Sequence, residues 1–265
     1  MSGAQRIVCL TEETTETLYL LGEEARIVGI SGYTVRPERA RKEKPRVSAF
    51  TSAKIDRILE LEPDLVIGFS DLQADIASQL IRSGINVLIT NQRSVEEILQ
   101  TVFTIGALAG VPEKAAALVA ELRAGIDRVA AEAATLPRHP RVYFEEWNEP
   151  LISGIRWVAE LIVLAGGEES FPELKQHKSA KQRIIADPLE VVRRAPDILI
   201  ASWCGKKFQP EQVLARAGWA TVAAVRDGEL YEIKSCDILQ PGPAALTDGL
   251  RQLAAIIRNW AERRA

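Results

Sequence analysis

Carboxylate side chains follow short apolar segments of this sequence, and paired carboxylates are simple groups for acid and base chemistry. Glu146 follows the strand-like run Val142–Phe144, and it could pair with Glu12 or Asp71 if the fold brought them together. Neighbouring residues of a strand point to opposite faces, so only one of Glu145 and Glu146 easily faces a common site. No spacing here is specific for an enzyme, so we assign no catalytic residues.

The three cysteines lie far apart, at Cys9, Cys204 and Cys236. They form no CxxC pair, so the sequence has no signature of a structural zinc site or a redox pair. Cys204 and Cys236 are weak candidates for metal ligands together with a carboxylate, and the ordinary alternative is a small buried residue. Motifs for phosphate loops, serine hydrolases and zinc proteases are also absent, so no cofactor is predicted to be required.

The elements that must position these residues alternate between short apolar strands and helices. Runs such as Arg6–Leu10, Ile27–Ile30 and Leu65–Gly68 are separated by helical patterns that end at glycine or proline. This alternation is typical of a parallel sheet flanked by helices. The same alternation resumes in the second half of the chain, where Ile198–Ala201 is a buried strand candidate.

Between the two halves, residues 112–136 are rich in Ala, Leu, Glu and Arg and predict one helix of roughly 24 residues, about 36 Å long. The fold class predicted is therefore α/β, with two similar lobes of mostly parallel sheet flanked by helices. Residues 1–111 form one lobe, residues 112–136 the linking helix and residues 137–265 the other lobe. A helix, a Pro-Asp turn and a strand recur at Asp64 and Asp197, either by chance or because the lobes share one design.

Composition limits the function further. The 265 residues carry a net charge of −3, which favours neither nucleic acid nor an anionic membrane. No apolar run is long enough to span a bilayer, and the residues after Met1 lack the pattern of an export signal. As the sequence stands it predicts a cytoplasmic protein, and a periplasmic or cell-surface one if a signal has been removed. We expect a monomer.

The order of motifs resembles the class III periplasmic binding proteins, which bind cobalamin, haem and iron-siderophores. The first half carries RIVCLTEETTETLYLLGEEARIVGISGY, PRVSAF and IDRILELEPDLVIGFS. The second half continues with FEEWNEPLISGIRWVAELIVLAGGEESF, PLEVVRRAPDILIASW and DGELYEI. The resemblance covers nearly the whole chain, and it is closest to the cobalamin-binding branch.

This resemblance implies a substrate-binding component of an ABC transporter, which would dock on a permease through one exposed acidic residue in each lobe. In the first lobe the matching residue is Asp56. In the second lobe the matching position holds Leu189, and Glu190 lies one residue later. Since a helix turns about 100° per residue, Glu190 is a displaced candidate for the docking role.

A ligand of this fold is expected outside the carboxyl ends of the strands, in a cleft between the lobes. Several aromatic residues follow predicted strands, and an aromatic cleft suits a large flat molecule such as a corrin or porphyrin. The predicted ligand-binding residues are Glu12, Tyr33, Phe50, Phe69, Asp71, Asn91, Gln92, Arg93, Glu146, Trp147, Trp157, Trp203, Lys207 and Asp237.

The favoured interpretation is transport: a binding protein for a corrinoid or a related tetrapyrrole or metal chelate. Haem and siderophores are the neighbouring ligand classes, and an ABC permease is the expected partner. The alternative is a cytoplasmic enzyme, or an intracellular carrier or sensor, that uses the carboxylates and cysteines of the same scaffold.

Overall fold

The computed structural model describes residues 3–265, and the chain in it divides into two compact units. The first unit comprises the chain up to Gln92, Glu96–Arg123 and Pro241–Pro243. The second comprises Arg93–Val95, Ala124–Gln240 and Ala244–Ala265. Arg93–Val95 therefore belongs to the second unit although the residues on both sides of it belong to the first, and Pro241–Pro243 shows the reverse. The hydrophobic periodicity of the sequence does not predict this exchange.

The first unit is built on a five-stranded parallel sheet of order β3-β2-β1-β4-β5. Its strands are β1 (Ile7–Cys9), β2 (Ile27–Ser31), β3 (Arg46–Ser48), β4 (Leu65–Phe69) and β5 (Val87–Thr90). Alternate residues of the central strands point to opposite faces, so Ile7 and Cys9 enter one apolar cluster while Val8 enters another. The predicted parallel sheet is confirmed for this unit.

Six helices accompany or follow this sheet in the chain. They are α1 (Glu12–Leu20), α2 (Ala40–Glu43), α3 (Ile55–Glu60), α4 (Ala74–Arg82), α5 (Val95–Leu108) and α6 (Pro112–Ala133). The long helix predicted over residues 112–136 is present but ends three residues early, at Ala133. Its residues up to Arg123 belong to the first unit, and those from Ala124 onward belong to the second.

The second unit has a mixed five-stranded sheet of order β10-β9-β6-β7, with β8 also paired to β6. Its strands are β6 (Arg141–Asn148), β7 (Leu151–Ser153), β8 (Glu168–Glu169), β9 (Ile198–Ala201) and β10 (Leu230–Glu232). β6 runs parallel to β8 and β9 and antiparallel to β7. The strand predicted at Val142–Phe144 is therefore longer than expected, because its second half is half of a hairpin with β7.

The remaining helices are α7 (Arg156–Leu164), α8 (Leu189–Arg194), α9 (Pro210–Leu214), α10 (Ala223–Arg226), α11 (Ser235–Ile238) and α12 (Leu250–Arg263). A π-helical segment at Ala245–Gly249 precedes α12 directly. Within residues 3–265, no helix combines the length and the apolar character needed to cross a membrane.

The Pro-Asp turn recurs with the same hydrogen bonds in both units. Asp64 donates its N–H to the carbonyl of Arg6, at the start of β1, and its carboxylate accepts the N–H of Arg6. Asp197 makes the same two contacts with Arg141, at the start of β6. The two short helices before these turns also end alike. The recurrence of a helix, a Pro-Asp turn and a strand in the sequence therefore corresponds to a recurrent structure in the two units.

Candidate functional site

A buried glutamine connects the loops at the carboxyl edge of the first sheet. Gln73 accepts the N–H of Phe69, at the end of β4, through its Oε1 at 2.8 Å. Its Nε2 donates to the carbonyl oxygens of Leu10, after β1, and Phe50, after β3. Gly68 leaves the room for this side chain, since a Cβ there would lie 2.5 Å from Gln73 Oε1. Sequence reasoning missed Gln73, because a polar residue at the start of a helix usually faces solvent.

Helix α1 begins at this edge and buries several polar side chains. The Oε1 atom of Glu12 accepts the N–H groups of Val35 and Arg36 at 2.9 and 2.8 Å. Burial raises the pKa of the Glu12 carboxyl from 4.5 to about 7, against the lowering effect of these two hydrogen bonds. Glu12 is a predicted ligand-binding residue. The structure places it at the first position of α1, where its carboxylate binds the backbone N–H groups of Val35 and Arg36.

Glu13 is more buried than Glu12 and less completely paired. One carboxylate oxygen accepts the hydroxyl of Thr11 at 2.7 Å. The other, Oε2, has no hydrogen-bond partner in the part of the chain that the structure describes. Burial raises the pKa of this carboxyl to about 7, and the Thr11 hydroxyl acts in the opposite direction. Gly242 packs against Glu13, since a Cβ at this glycine would lie 2.4 Å from the Glu13 Cβ.

The remaining predicted residues of the first unit differ in accessibility. Tyr33 is 65% exposed, Asp71 and Asn91 are exposed, and Phe50 is partly buried. Asp71 and Asn91 line a shared groove beside β5. Phe69 and Gln92 are instead buried in the first unit.

Phe69 is 8% exposed and belongs to the apolar core of the first unit. Gln92 is buried, and its Nε2 donates to the carbonyl of Pro241 at 3.0 Å. Arg93, the next residue, is partly buried and belongs to the second unit. Of the first unit's predicted residues, Tyr33, Asp71 and Asn91 therefore present the most accessible side chains.

In the second unit, a buried carboxylate lies at the centre of a hydrogen-bonded cluster. Glu145 is fully buried and forms a two-pronged ion pair with Arg216, with N–O distances of 2.6 and 2.8 Å. Its oxygens also accept the hydroxyl of Tyr143 and the indole N–H of Trp203. The side chain of Arg216 in turn lies over the ring of Trp219, 4.5 Å from its centroid. This cluster fixes the end of β9 against β6.

Glu146 also pairs with an arginine. The buried side chain of Arg183 donates to both carboxylate oxygens of Glu146, at 2.7 and 3.0 Å, and to the carbonyl of Ser153. The register of β6 against β7 is irregular between Glu145 and Trp147, so Glu146 lies in a bulge and its side chain is turned toward Arg183. A carboxylate held by both oxygens in this way is a poor general base. The structure therefore opposes the acid–base role considered for Glu146.

The three tryptophans predicted at the site have different environments. Trp157 and Trp203 are each 2% exposed, and Trp157 donates its indole N–H to the carbonyl of Ile238. Trp147 is only partly buried and donates to the carbonyl of Glu149. Trp157 is thus held inside the second unit by its hydrogen bond, and Trp147 is the tryptophan with surface available for stacking.

Lys207 lies on the loop after β9, whereas Cys236 and Asp237 lie on α11, which follows β10. Lys207 is exposed, and Asp237 is partly buried and accepts the amide of Gln252 at 3.1 Å. Burial raises the pKa of the Cys204 thiol, which keeps it protonated at neutral pH. Cys236 donates its thiol to Asp237. Among residues 3–265, no group of three or more His, Cys, Asp or Glu side chains is placed to hold a metal ion, so the cysteine metal site gains no support.

A family model described as periplasmic binding protein matches residues 7–236. The chain belongs to the periplasmic binding protein family. Membership confirms the predicted class III resemblance and identifies the chain as a binding protein rather than an enzyme. It also accounts for the α/β units with helices on their sheets.

Individual members of the family are similar over most of the chain. A vitamin B12-binding protein of Vibrio campbellii is 28% identical over 203 residues, which are 75% of this chain and 71% of that protein. A possible iron-binding protein of Staphylococcus epidermidis superposes with a TM-score of 0.83 at 22% identity, covering 97% of this chain and 99% of that one. A haem-binding protein of Pseudomonas aeruginosa does so with a TM-score of 0.81 at 23% identity, covering 97% and 94%. These superpositions establish the fold.

The two positions predicted for permease docking differ in their surroundings. Asp56 lies exposed on α3, and no basic side chain of residues 3–265 forms an ion pair with it. Glu190 lies on α8 and pairs with Arg193 at 2.7 Å and Arg194 at 2.9 Å, which lower the pKa of its carboxyl. Leu189, at the matching position, is exposed. Asp56 therefore offers a free charge to a partner, whereas the charge of Glu190 is already balanced.

Proposed function

We propose that this periplasmic binding protein binds a corrinoid of the cobalamin type, or a related tetrapyrrole or metal chelate, and delivers it to an ABC permease. The observation that carries the proposal is the similarity to a vitamin B12-binding protein, which covers 75% of this chain. Similar folds in haem-binding and possible iron-binding proteins support the wider ligand class.

The aromatic side chains at the carboxyl edges of the sheets support the same ligand class. Tyr33 after β2 and Trp147 near the end of β6 both have exposed or half-exposed rings. An aromatic ring whose orientation is already fixed by a hydrogen bond to the backbone can stack on a flat macrocycle with little further loss of side-chain entropy. Trp147 has such a constraint, because its indole N–H is bonded to the carbonyl of Glu149.

The first experiment is a titration of the purified protein with cyanocobalamin, dicyanocobinamide, haemin and an iron(III)-siderophore, followed by absorbance and thermal unfolding. We expect one of these ligands to saturate the protein and to raise its melting temperature, because a ligand that binds only the folded state stabilises it by mass action. If none of the four changes either signal, the proposed ligand class is wrong.

Variants then test the location of the site. Trp147→Ala and Tyr33→Ala should weaken binding by about tenfold each, since the loss of one stacking contact is worth ~1 kcal/mol or more. Phe103→Ala is the matched control, because Phe103 is an exposed aromatic residue on α5, away from the edge loops. Equal loss in the control variant would argue against an aromatic edge site.

The enzyme alternative finds little support in these side chains. Glu146 is held at both carboxylate oxygens by Arg183, which opposes a role as a general base. Transport also requires contact with a permease, and we propose that Asp56 takes part in it. Asp56→Lys should then abolish ligand-dependent stimulation of the transporter ATPase without changing the affinity for ligand.

A further inference from the structure

An exposed lysine in the second unit is held between two tryptophans, and sequence reasoning missed it. The ammonium of Lys206 lies 5.0 Å from the centroid of the Trp203 ring and 5.8 Å from that of Trp147. Both distances are within the ~6 Å range of a cation–π contact. Trp147 lies near the end of β6 and Trp203 lies two residues after β9, so the ammonium lies beyond the carboxyl ends of these two neighbouring strands.

The backbone of this loop is fixed by a tight turn. The N–H of Lys206 donates to the carbonyl of Trp203 at 3.0 Å, which closes a four-residue turn. Gly205, the third residue of the turn, has a φ of +72°, and Cys204 before it is not left-handed. A positive φ at the third residue and not at the second is the pattern of a type II turn, and glycine adopts it without steric cost. The turn places the Lys206 side chain on the side of the two indoles.

A chain of amides fixes the ammonium further. Nζ of Lys206 donates to Oδ1 of Asn148 at 3.3 Å. The orientation of this amide follows from its other end, because Nδ2 of Asn148 donates to Oε1 of Gln212 at 2.9 Å. Nε2 of Gln212 donates in turn to Gln209. Each amide therefore orients the next, and an oxygen rather than an NH₂ group faces the lysine.

The charge of Lys206 has no ionic counterpart. In the described part of the chain, no Asp or Glu oxygen lies within 4.0 Å of its Nζ, and the nearby carboxylates Glu145 and Glu146 are each taken by an arginine. Neutral partners alone, two ring faces and an amide oxygen, hold this cation. They position the ammonium but leave its charge available.

From this geometry we propose that Lys206 is a specificity-determining residue that binds an anionic group, a carboxylate or a phosphate, on the ligand. The inference rests on the proposed function and narrows it to ligands that combine a flat macrocycle with an anionic substituent. The macrocycle would stack on Trp147 while the anion meets the ammonium. Two sources of the anion are a haem propionate and the phosphodiester of a complete corrinoid.

Ligand pairs that differ in the anion distinguish these sources. Haemin carries propionates that its dimethyl ester lacks, and cobalamin carries a phosphodiester that cobinamide lacks. For the pair whose acidic member binds the wild-type protein, Lys206→Gln should weaken binding of the acidic member by about tenfold or more. Binding of the neutral member should change less than twofold. Lys206→Arg should retain most of the affinity, because it keeps the charge.

Lys178→Gln is the matched control, since Lys178 is an exposed lysine of the second unit that is not among the predicted ligand-binding residues. It should leave every dissociation constant unchanged, and all three variants should melt within about 2 °C of the wild type because none removes a buried contact. Unchanged affinity of Lys206→Gln for the acidic ligand would overturn the inference. An equal loss for the acidic and neutral members would overturn it too, since the lysine would then act through packing alone.

The two proposals fail in different ways. If the wild-type protein binds none of the four macrocycles, the proposed function is wrong and this inference falls with it. If the wild type binds but the Lys206 variants do not discriminate the paired ligands, the proposed function stands and only the role of Lys206 is wrong.

Discussion

Both units bury carboxylates near the carboxyl end of their first strand, and they compensate the charge by different means. In the first unit, Glu12 and Glu13 have no arginine partner, and burial raises the pKa of each carboxyl to about 7. In the second unit, Glu145 and Glu146 are each bound by a guanidinium at both oxygens. Units of one design can therefore respond differently to pH and to the loss of a single side chain.

The difference follows from what surrounds the carboxylates. In the second unit, Arg216 approaches Glu145 and Arg183 approaches Glu146. Each carboxylate therefore has a positive charge beside it in the folded protein. The carboxylate of Glu13 accepts the Thr11 hydroxyl and that of Glu12 accepts two backbone N–H groups, and all of these donors are uncharged. A buried carboxyl without a cation lowers its cost by taking up a proton.

The largest expected effect comes from breaking the Glu145–Arg216 pair. Arg216→Met leaves a fully buried carboxylate without its cation, which should cost about 3–5 kcal/mol of unfolding free energy. Urea denaturation measures the loss. Arg226→Met is the control: this arginine forms a solvent-exposed pair with Asp227, and its removal should cost far less, because water screens such a pair. Equal costs for the two variants would mean that burial of the pair is unimportant.

The second effect is the pH dependence of the first unit. Between pH 4.5 and 7 the folded protein keeps protons on Glu12 and Glu13 that the unfolded chain has released, so the free energy of unfolding should fall as pH rises through this window. Glu13→Gln removes one of these protons from the balance and should raise stability at pH 8 by up to about 3 kcal/mol.

Thermal or urea unfolding of wild type and Glu13→Gln at pH 5 and pH 8 tests this expectation. The variant should differ little from the wild type at pH 5, where the carboxyl is protonated in the folded state, and should be the more stable protein at pH 8. Asp75→Asn, an exposed acid on α4, is the control and should show the same pH dependence as the wild type. A destabilised glutamine variant at pH 8 would contradict the assignment.

The third effect compares the repeated Pro-Asp turns. The carboxylate of Asp64 accepts two backbone N–H groups, from Gln5 and Arg6, whereas that of Asp197 accepts one, from Arg141. Each such bond contributes about 1 kcal/mol. Asp64→Ala should therefore destabilise the protein by about 2 kcal/mol and Asp197→Ala by about 1 kcal/mol in urea denaturation. A reversed order would show that the number of backbone hydrogen bonds to the carboxylate does not set the stability of these turns.

The smallest expected effect is a gain in both units. Glu62 and Ala195 follow the corresponding helices α3 and α8, and each has a left-handed backbone, with φ of +46° and +45°. Glycine adopts this conformation without the steric cost of a Cβ. Glu62→Gly and Ala195→Gly should each stabilise the protein by about 0.5–1 kcal/mol, and a loss in either would mean that the side chain makes a contact worth more than this cost.

Strand ends in a parallel sheet share one edge, so the sequence could place Tyr33, Asp71 and Asn91 at that edge from their positions after apolar runs. Their side chains are exposed, and their role in ligand binding stays a prediction. The same reasoning could not separate Trp147, which has accessible surface, from Trp157 and Trp203, which are buried. The buried pair have hydrogen-bond partners far away in sequence, Ile238 for Trp157 and Glu145 for Trp203, and the sequence contains no local signal for these contacts.

The side chains that organise the edges were the ones missed. Gln73, Arg183 and Arg216 each bind atoms 20 or more residues away in sequence, at Phe50, Glu146 and Glu145. Arginine and glutamine are ordinary surface residues in composition, so no local pattern marks them as buried. Lys206 was missed for a related reason: its value depends on two rings and an amide that only the folded sheet brings together.

The sequence by itself determined the α/β class, the alternation of strands and helices, the long helix from Pro112 and the recurrence of the Pro-Asp turn. These features depend on periodicity, propensity and turn chemistry, which act between residues close in the chain. The tertiary structure alone decided which carboxylates are paired with arginines, which are left to protonate, and where a lysine keeps an unbalanced charge. Electrostatic compensation depends on distances across the fold, and those distances are not written in local sequence.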